Sequence, residues 1–345
     1  MTPTRILKAC FLAGWLAALA VVSSTLAQTS SQRKMAPLPA VAPSPADNPA
    51  TPEKIALGKQ LFFDPRLSRD NQMSCATCHM PEKAFTDGLP KAKGADGREL
   101  PRNTPTLLNV GFYENYFWDG RAGSLEDQAL TPIQSPDEMN QDLGELEKEL
   151  SVIPGYATQF QSAFGGPVTR DNIAKAIAAF QRTLVSRSSS FDRYLAGDES
   201  ALSDNAREGW EIFQQAGCIR CHSGPNFSDS GFYRLGVSFQ DKGRRAVTGN
   251  KQDLYTFRAP GLRDVKKTAP YMHDGSLATL TDVVEFYYRS TSIRAPGGLP
   301  LSFESLNYRS FSEIALVVSF LESLSGEPPD IAPQLPPDKE NRGGE

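Results

Sequence analysis

The sequence contains the five-residue pattern Cys-x-x-Cys-His twice, as CATCH and as CIRCH. This pattern attaches c-type haem: each thiol adds to a vinyl group of the haem, and the adjacent histidine coordinates the iron. The sequence therefore predicts two covalently attached haem c groups. The predicted ligands are Cys75, Cys78 and His79 for the first haem, and Cys218, Cys221 and His222 for the second.

Three other interpretations of these cysteines are weaker. A zinc site would need the two cysteine pairs to converge, and it would not require a histidine after each pair. A thioredoxin-like thiol pair needs a βαβ context, which neither flanking sequence shows. Disulfides are the usual expectation in an exported protein, but two disulfides would leave both histidines unexplained.

Residues 1–27 have the pattern of a secretory signal peptide. Arg5 and Lys8 precede an apolar run from Ala9 to Val22, and small residues favour cleavage after Ala27. A retained membrane anchor is the alternative, but the apolar run is short for a bilayer span. We therefore expect a periplasmic protein whose mature form has no membrane segment.

Composition and charge exclude several other classes of protein. The chain is 39% hydrophobic and 22% charged, which suits a globular protein with many turns. Its formal net charge is −4, and removal of the leader would take away two further positive charges. No basic cluster is long enough to indicate binding to nucleic acid.

Helical periodicity dominates the chain, and the predicted fold class is mainly α. We expect a flexible linker over 28–50, one haem domain over 51–196, a second over 197–325, and a disordered tail over 326–345. The two haem domains are expected to be cytochrome c-like and to stand in tandem through internal duplication. A constant offset of 155 supports this, because it aligns Pro105 with Pro260, Asp119-Gly120 with Asp274-Gly275, and Leu125 with Leu280.

Seven segments between Leu57 and Leu324 resemble the bacterial dihaem cytochrome c peroxidase and MauG family. They are LGKQLFFDPRLS, SCATCH, RNTPTLLNV, FWDGRAGSLEDQALTPIQSPDEM, FDRYLAGD, GCIRCH and TAPYMHDGSLATL. The resemblance implies that the N-terminal domain holds the peroxidatic haem and that the C-terminal domain holds an electron-transfer haem. It also implies two partners, hydrogen peroxide and a small cytochrome or cupredoxin that donates electrons.

The same resemblance implies roles for individual residues. Glu138 would move a proton between the peroxide oxygens, with neighbouring Asp137 as its rival, and Gln128 would orient the peroxide. Trp118 would relay electrons between the haems, or simply pack against them. A possible inter-haem calcium ion would be held by Asn103, Thr268 and Pro270.

The second haem has four candidate distal ligands in PYMHDGSLATLTDVVEFYYR, namely Met272, His273, Tyr287 and Tyr288. We predict Tyr287, because at this spacing the resemblance implies an axial methionine or, in MauG-type members, a tyrosine. At the offset of 155, Tyr287 corresponds to Pro132, which has no ligating side chain. Leu280, Val283, Val284 and Tyr287 also follow the i, i+3, i+4, i+7 pattern of one buried helix face.

Two departures from the resemblance bear on function. The first domain has no histidine besides His79, so the family's usual blocking histidine is missing and the first iron should stay open in the oxidised protein. Ala216 stands where MauG has a tryptophan at its substrate-docking surface. We expect a hydrogen peroxide reductase able to react when fully oxidised. The alternatives are a MauG-like enzyme that oxidises a protein or other substrate through a high-valent dihaem state, and a non-catalytic carrier or sensor.

Overall fold

The computed structural model describes residues 35–289, 311–329, 331 and 335, and within them the fold is mainly helical. The α-helices are α1 (Pro52–Phe63), α2 (Cys75–Cys78), α3 (Leu125–Gln134), α4 (Leu143–Ser151), α5 (Pro154–Phe164), α6 (Arg170–Gln181), α7 (Ser190–Leu195), α8 (Asp204–Gln215), α9 (Arg245–Thr248), α10 (Leu280–Arg289) and α11 (Phe311–Ser323). Short 3₁₀ turns span Pro65–Leu67, Pro81–Lys83, Ala95–Gly97, Val110–Phe112, Glu199–Ala201, Cys218–Arg220, Lys251–Asp253 and Val265–Lys267. One two-stranded antiparallel sheet pairs β1 (Phe232–Tyr233) with β2 (Phe257–Arg258).

The first half of the chain is built on the crossing of α1 and α6. Thr51 caps α1 by accepting a hydrogen bond from the third helical N–H, and Pro52 occupies its first turn. The backbones meet at Gly58, where an added Cβ would lie 1.8 Å from the carbonyl oxygen of Ala176. Only glycine permits this approach, and it lets the fully buried Leu57 and Leu61 pack into the core.

The second half repeats this crossing with α8 and α11. A Cβ at Gly209 would lie 2.0 Å from the carbonyl oxygen of Leu316. The ring of Phe320, one turn further along α11, is fully buried and packs against the rings of Trp210 and Phe213. The two halves therefore use the same close contact between their first and last helices.

The offset of 155 found in the sequence also relates structural elements. Helix α3 and helix α10 coincide at that offset from end to end. So do the 3₁₀ turns Val110–Phe112 and Val265–Lys267, the bridges Tyr116–Ala122 and Tyr271–Leu277, and the left-handed residues Asn109 and Asp264. The local geometry that follows each Cys-x-x-Cys-His motif is thus repeated.

An ion pair and a hydrogen bond, both largely shielded from solvent, join the two halves. Arg102 of the first half contacts Asp119 and, across the interface, Asp241, both at 2.6 Å. The guanidinium of Arg244 donates to the carbonyl oxygen of Asp119. Because these groups are largely shielded from solvent, breaking one partner would leave a charge unpaired, which resists separation of the halves.

Two segments differ from the sequence prediction. Residues 35–50 of the predicted flexible linker pack on the folded chain: Asn48 is fully buried and its amide donates to Glu126 and to the carbonyl of Lys175. Ala42 is also buried and its N–H bonds to the carbonyl of Arg182. The composition suggested flexibility, but these tertiary contacts satisfy the polar groups and hold the segment in place.

Part of the predicted tail is ordered as well. Glu327 exchanges two backbone hydrogen bonds with Arg187, and the N–H of Gly326 donates to Asp264. The predicted signal peptide (1–27) and most of the predicted tail lie outside the described residues. Among the described residues, no helix has the length and apolarity needed to cross a bilayer.

Candidate functional site

The first attachment motif borders a deep cavity in the first half. Cys75, Cys78 and His79 all line this first cavity. The Nδ1 atom of His79 lies 3.0 Å from the carbonyl oxygen of Phe85, so Nδ1 carries the proton and Nε2 is left to coordinate a metal. Burial lowers the pKa of His79, which keeps the imidazole in the neutral form that iron requires.

The second motif borders a second cavity in the same manner. Cys218, Cys221 and His222 line it, and the Nδ1 atom of His222 lies 3.1 Å from the carbonyl oxygen of Phe227 and 3.2 Å from that of Pro260. The carbonyls of Phe85 and Phe227 have equivalent places in the two halves, since each phenylalanine opens a Phe-(Thr/Ser)-Asp triplet after its motif. His79 and His222 are therefore held in the same tautomer.

The chemistry of these residues fits haem better than the alternatives. All four motif cysteines are free thiols rather than disulfides. Burial raises the pKa of Cys75 to about 12 and those of Cys78 and Cys221 to about 11, so the thiols are protonated. Nowhere in the described part of the chain do three His, Cys, Asp or Glu side chains cluster to hold a metal ion. Each cavity is instead lined by the two thiols and the imidazole of one Cys-x-x-Cys-His motif, which is the donor set that holds haem c.

The predicted distal residues lie in the first cavity. Helix α3 turns Gln128, Thr131 and Pro132 toward it at i, i+3, i+4 spacing, and Glu138 follows from the loop after the helix. Gln128 is held by Gln181, whose amide lies 3.4 Å from its side-chain oxygen. The structure thus places Gln128 and Glu138, the two distal residues predicted from the sequence, in the cavity that His79 also lines.

The environments of Glu138 and Asp137 differ. Burial raises the pKa of Glu138, and the nearby Arg121 guanidinium offsets only part of this effect. Asp137 also borders the cavity, but its carboxylate forms an ion pair with Arg98 at 2.6 Å, with both side chains more than half exposed. Of the two carboxylates, Glu138 is the one shielded from solvent at the cavity, and its role in proton transfer remains a prediction.

All four candidate distal ligands of the second haem border the second cavity. Tyr287 and Tyr288 reach it from α10, and Met272 and His273 from the preceding loop. Burial raises the pKa of Tyr287 above its ordinary value. His273 stacks on the ring of Phe257 with centroids 3.8 Å apart and a 17° interplanar angle, which suits a packing role. The assignment of Tyr287 as the ligand remains a prediction.

The two cavities share a wall. Trp118, Tyr113 and Arg258 border both cavities, as do residues 103–106. The indole N–H of Trp118 donates to the carbonyl oxygen of Asn103 at 2.9 Å, and its own carbonyl oxygen accepts from the N–H of Arg258 at 2.8 Å. The Arg258 guanidinium in turn stacks 3.7 Å above the Tyr113 ring. The indole thus stands between the cavities in a fixed position.

Three other predicted positions are also placed by the structure. Asn103, Thr268 and Pro270 all line the second cavity, and the calcium site they were predicted to form remains a prediction. Ala216 is 1% exposed and lines the same cavity, so this position offers no surface contact to a partner. His79 is the one histidine among the described residues that border the first cavity.

Sequence reasoning missed three residues of the site. Arg121 stacks on Phe117 at 3.5 Å and faces Glu138 electrostatically, and Arg258 completes the shared wall. Gln181 orients Gln128 from α6. Arg258 and Gln181 come from segments without a motif, and Arg121 lies within FWDGRAGSLEDQALTPIQSPDEM but was given no role there. Isolated arginines and glutamines carry no periodic signal in the sequence.

Two cavities, each bordered by a Cys-x-x-Cys-His motif and joined through a tryptophan wall in a mainly helical chain, define a dihaem cytochrome-like oxidoreductase. The family model of di-haem cytochrome c peroxidase matches residues 52–200. The chain belongs to the dihaem cytochrome c peroxidase and MauG family, whose members are peroxidase-type oxidoreductases that hold two haems.

Relatives carry both family names. The chain is 43% identical to the methylamine utilization protein MauG of Methylorubrum extorquens over 91% of its length and 92% of the relative. It is 38% identical to the cytochrome c551 peroxidase of Nitrosomonas europaea, over 86% and 87% of the two chains.

Solved structures share the fold. A MauG-like protein associated with microbial copper homeostasis superposes with a TM-score of 0.75 and 31% identity, covering 84% of this chain and 95% of that one. The diheme peroxidase BthA of Burkholderia thailandensis has a TM-score of 0.71 and 25% identity, covering 81% and 87%.

Proposed function

We propose that this chain is a periplasmic dihaem c-type peroxidase that reduces hydrogen peroxide to water with electrons from a small redox protein. We further propose that it reacts in its fully oxidised state. The observation that carries this proposal is the first cavity, which combines His79, Glu138 and Gln128 without a second histidine among its described lining. His79 would hold a haem there, and the haem would supply the iron that binds peroxide.

The residues of the first cavity have distinct roles in the proposed reaction. When bound, haem supplies the iron that takes the peroxide and the electrons that cleave its O–O bond. Glu138 would accept a proton from one peroxide oxygen and deliver it to the other, which leaves as water. Gln128 donates its amide to orient the peroxide. Reduction consumes two electrons and two protons for each peroxide and yields two water molecules.

The second cavity supplies the electrons in this proposal. Haem would be attached through Cys218 and Cys221 and ligated by His222 and Tyr287, with a calcium ion beside the shared wall. Trp118 stands between the two cavities and provides the aromatic path for electrons. Both haems would be attached covalently, and the repeated geometry of the two halves favours descent from a duplicated one-haem domain.

Stopped-flow mixing of the fully ferric protein with hydrogen peroxide tests the proposal. We expect the haem absorbance spectrum to change directly after mixing, without any added electron. A protein that stays unchanged until one electron has been added would contradict the open first cavity. The control is the same protein after prior one-electron reduction, which should react no faster than the ferric form.

A second candidate function is MauG-like oxidation of a protein or another substrate with peroxide. Tyr287 favours it, because a tyrosine at the second cavity would lower the haem potential where a methionine would raise it. The buried Ala216 argues that any protein substrate docks differently from that of MauG. Steady-state peroxide consumption with a reduced cytochrome or cupredoxin separates the two functions, since only the peroxidase turns over with such a donor.

A further inference from the structure

The stretch after the second motif forms the outer wall of the second cavity. Leu235, Gly236, Val237 and Ser238 line the cavity from a loop that follows β1. The chain then makes helix α9 and a 3₁₀ turn before it returns through β2. The first half spans the equivalent region, 87–103, with a shorter stretch and no α-helix. The second half therefore has an additional surface next to its haem site.

This additional surface is basic on an acidic protein. Residues 229–257 contain five Lys or Arg and three Asp or Glu, whereas the whole chain has 36 and 40. Of the three acids, Asp241 is already paired with Arg102. Lys242, Arg245 and Lys251 have no carboxylate of the described residues within ion-pair distance. Their charges are therefore available to a partner.

The same surface exposes apolar side chains. Phe239 is 58% exposed and Val247 is 44% exposed, which is unusual for large apolar groups. Phe239 packs edge-on against Tyr255 at 5.2 Å, and the Arg234 guanidinium lies within 6 Å of both rings. The exposed ring is thus held in place before any partner arrives, which lowers the entropy cost of binding.

Backbone hydrogen bonds make this surface one folded unit. The N–H of Tyr255 donates to the carbonyl of Lys242 at 3.0 Å, and that of Arg244 donates to Thr256 at 2.9 Å. We call a set of exposed and half-buried side chains of this unit the docking patch. The docking patch consists of Arg234, Phe239, Lys242, Arg245, Val247 and Lys251.

We propose that the docking patch binds a small redox protein that presents an acidic rim around an apolar contact, and that electrons enter the second cavity through residues 235–238. This inference rests on the proposed function. The net charge of the chain would repel an acidic partner, so the local positive charge is needed to select the docking face and to raise the association rate. Charge alone gives little affinity, and Phe239 and Val247 provide the apolar contact that adds to it.

A pair of probes that differ in surface charge tests the docking patch. The first probe is ferrous mitochondrial cytochrome c, whose surface is rich in lysine, and the second is the same protein with its lysines succinylated. Each is mixed anaerobically with the ferric dihaem protein, without peroxide, and the rate of haem reduction is measured. We expect the acidic probe to react about tenfold faster or more at low salt, and the difference to shrink as salt screens the charges.

Matched variants locate the effect. Lys242→Glu, Arg245→Glu and Lys251→Glu together should remove the preference for the acidic probe. The control triple, Lys148→Glu with Arg170→Glu and Arg193→Glu, changes the net charge equally at exposed positions outside both cavities and should keep the preference.

Folding is verified by the haem spectrum and by complete reduction with dithionite, and the corresponding triple replacement by Gln provides a second test if reversal disturbs folding. A faster reaction with the basic probe, or equal losses from both triples, would overturn the proposal. So would a fall in oligomeric mass in the patch triple by analytical ultracentrifugation, because the patch would then join two copies of the chain.

The proposed function is tested separately. Peroxide turnover with a small dye as electron donor needs no protein docking, and all variants should keep the wild-type rate. Loss of this turnover in the parent protein would refute the peroxidase proposal while leaving the docking result intact. A normal dye rate with no charge preference among the protein probes would refute the docking patch alone.

Discussion

Replacing Glu138 by Gln should slow the reaction of the ferric protein with peroxide by about 10² to 10⁴-fold, the usual contribution of a positioned acid–base group. This corresponds to roughly 2.7 to 5.4 kcal/mol of barrier. The reason is structural: Glu138 lines the first cavity beside Gln128, and an amide cannot carry the proton between the peroxide oxygens. Haem attachment should not change, because Cys75 and Cys78 belong to a separate segment.

The matched control is Asp137→Asn, one residue away. Asp137 is paired with Arg98 at the surface, where the two side chains are 59% and 63% exposed. Such pairs contribute about 0 to 1 kcal/mol to stability. We therefore expect Asp137→Asn to change the second-order rate by less than about fivefold, the equivalent of 1 kcal/mol.

The pH dependence supplies a further check on Glu138. Burial raises the pKa of Glu138. The carboxylate form needed as a base should therefore be populated only at a pH above the ordinary glutamate pKa of about 4.3. The rate should rise with pH through that raised pKa, and Glu138→Gln should lose this dependence. The effect on stability is opposite to that of a paired carboxylate. Because the pKa of Glu138 is raised in the folded protein, its ionisation lowers the free energy of unfolding as the pH rises through that pKa. Glu138→Gln should therefore unfold no more easily than the parent at neutral pH.

Stopped-flow absorbance at varied peroxide concentration measures the rate, and a pyridine haemochrome assay confirms equal haem content. Equal losses in Glu138→Gln and Asp137→Asn would indicate a general electrostatic effect and refute the assignment of Glu138 as the base. A Glu138→Gln variant that reacts within tenfold of the parent over the whole pH range would refute it as well.

Two other predictions concern the second half. Tyr287→Phe should change the ferric spin state and remove any phenolate-to-iron signature in optical and electron paramagnetic resonance spectra. The control, Tyr288→Phe, should leave both unchanged. An unaltered Tyr287→Phe spectrum would exclude Tyr287 as the ligand. Gly209→Ala should lower the free energy of unfolding by about 1 to 3 kcal/mol, because its Cβ would lie 2.0 Å from the carbonyl oxygen of Leu316. Denaturant unfolding of the haem-containing protein measures the loss, and a value near zero would show that the helices can separate freely.

Much of the site could be predicted because many of its residues belong to short sequence motifs. The Cys-x-x-Cys-His pentapeptides single out His79 and His222, each of which lines one cavity. The apolar spacing of Leu280, Val284 and Tyr287 predicts a helix whose one face lines the second cavity. The repeat in sequence at 155 likewise anticipated the coincidence of α3 and α10. In each case the signal lies within a short segment or recurs at a fixed spacing.

The remainder could not be predicted, because it depends on pairs that lie far apart in the chain. Arg258 of the second half bonds through its backbone N–H to Trp118 and through its guanidinium to the carbonyl oxygen of Phe117, both in the first half. Asn48 belongs to a stretch whose Pro, Ala and Ser content suggests flexibility, yet its amide finds acceptors on Glu126 and Lys175. Composition and periodicity report on local preference, and neither contains the tertiary partner that decides these positions.

The contacts of the shared wall have two structural roles. Trp118, Asn103 and Arg258 both separate the cavities and join the halves, since the N–H of Arg258 in the second half bonds to the carbonyl of Trp118 in the first. Each half has its own helix crossing, whereas the indole is positioned by both halves together. The proposed path for electrons through Trp118 therefore depends on how the halves are docked. Communication between the haem sites should therefore be lost by small displacements that leave each half folded, so that redox coupling becomes a more sensitive measure of domain docking than stability.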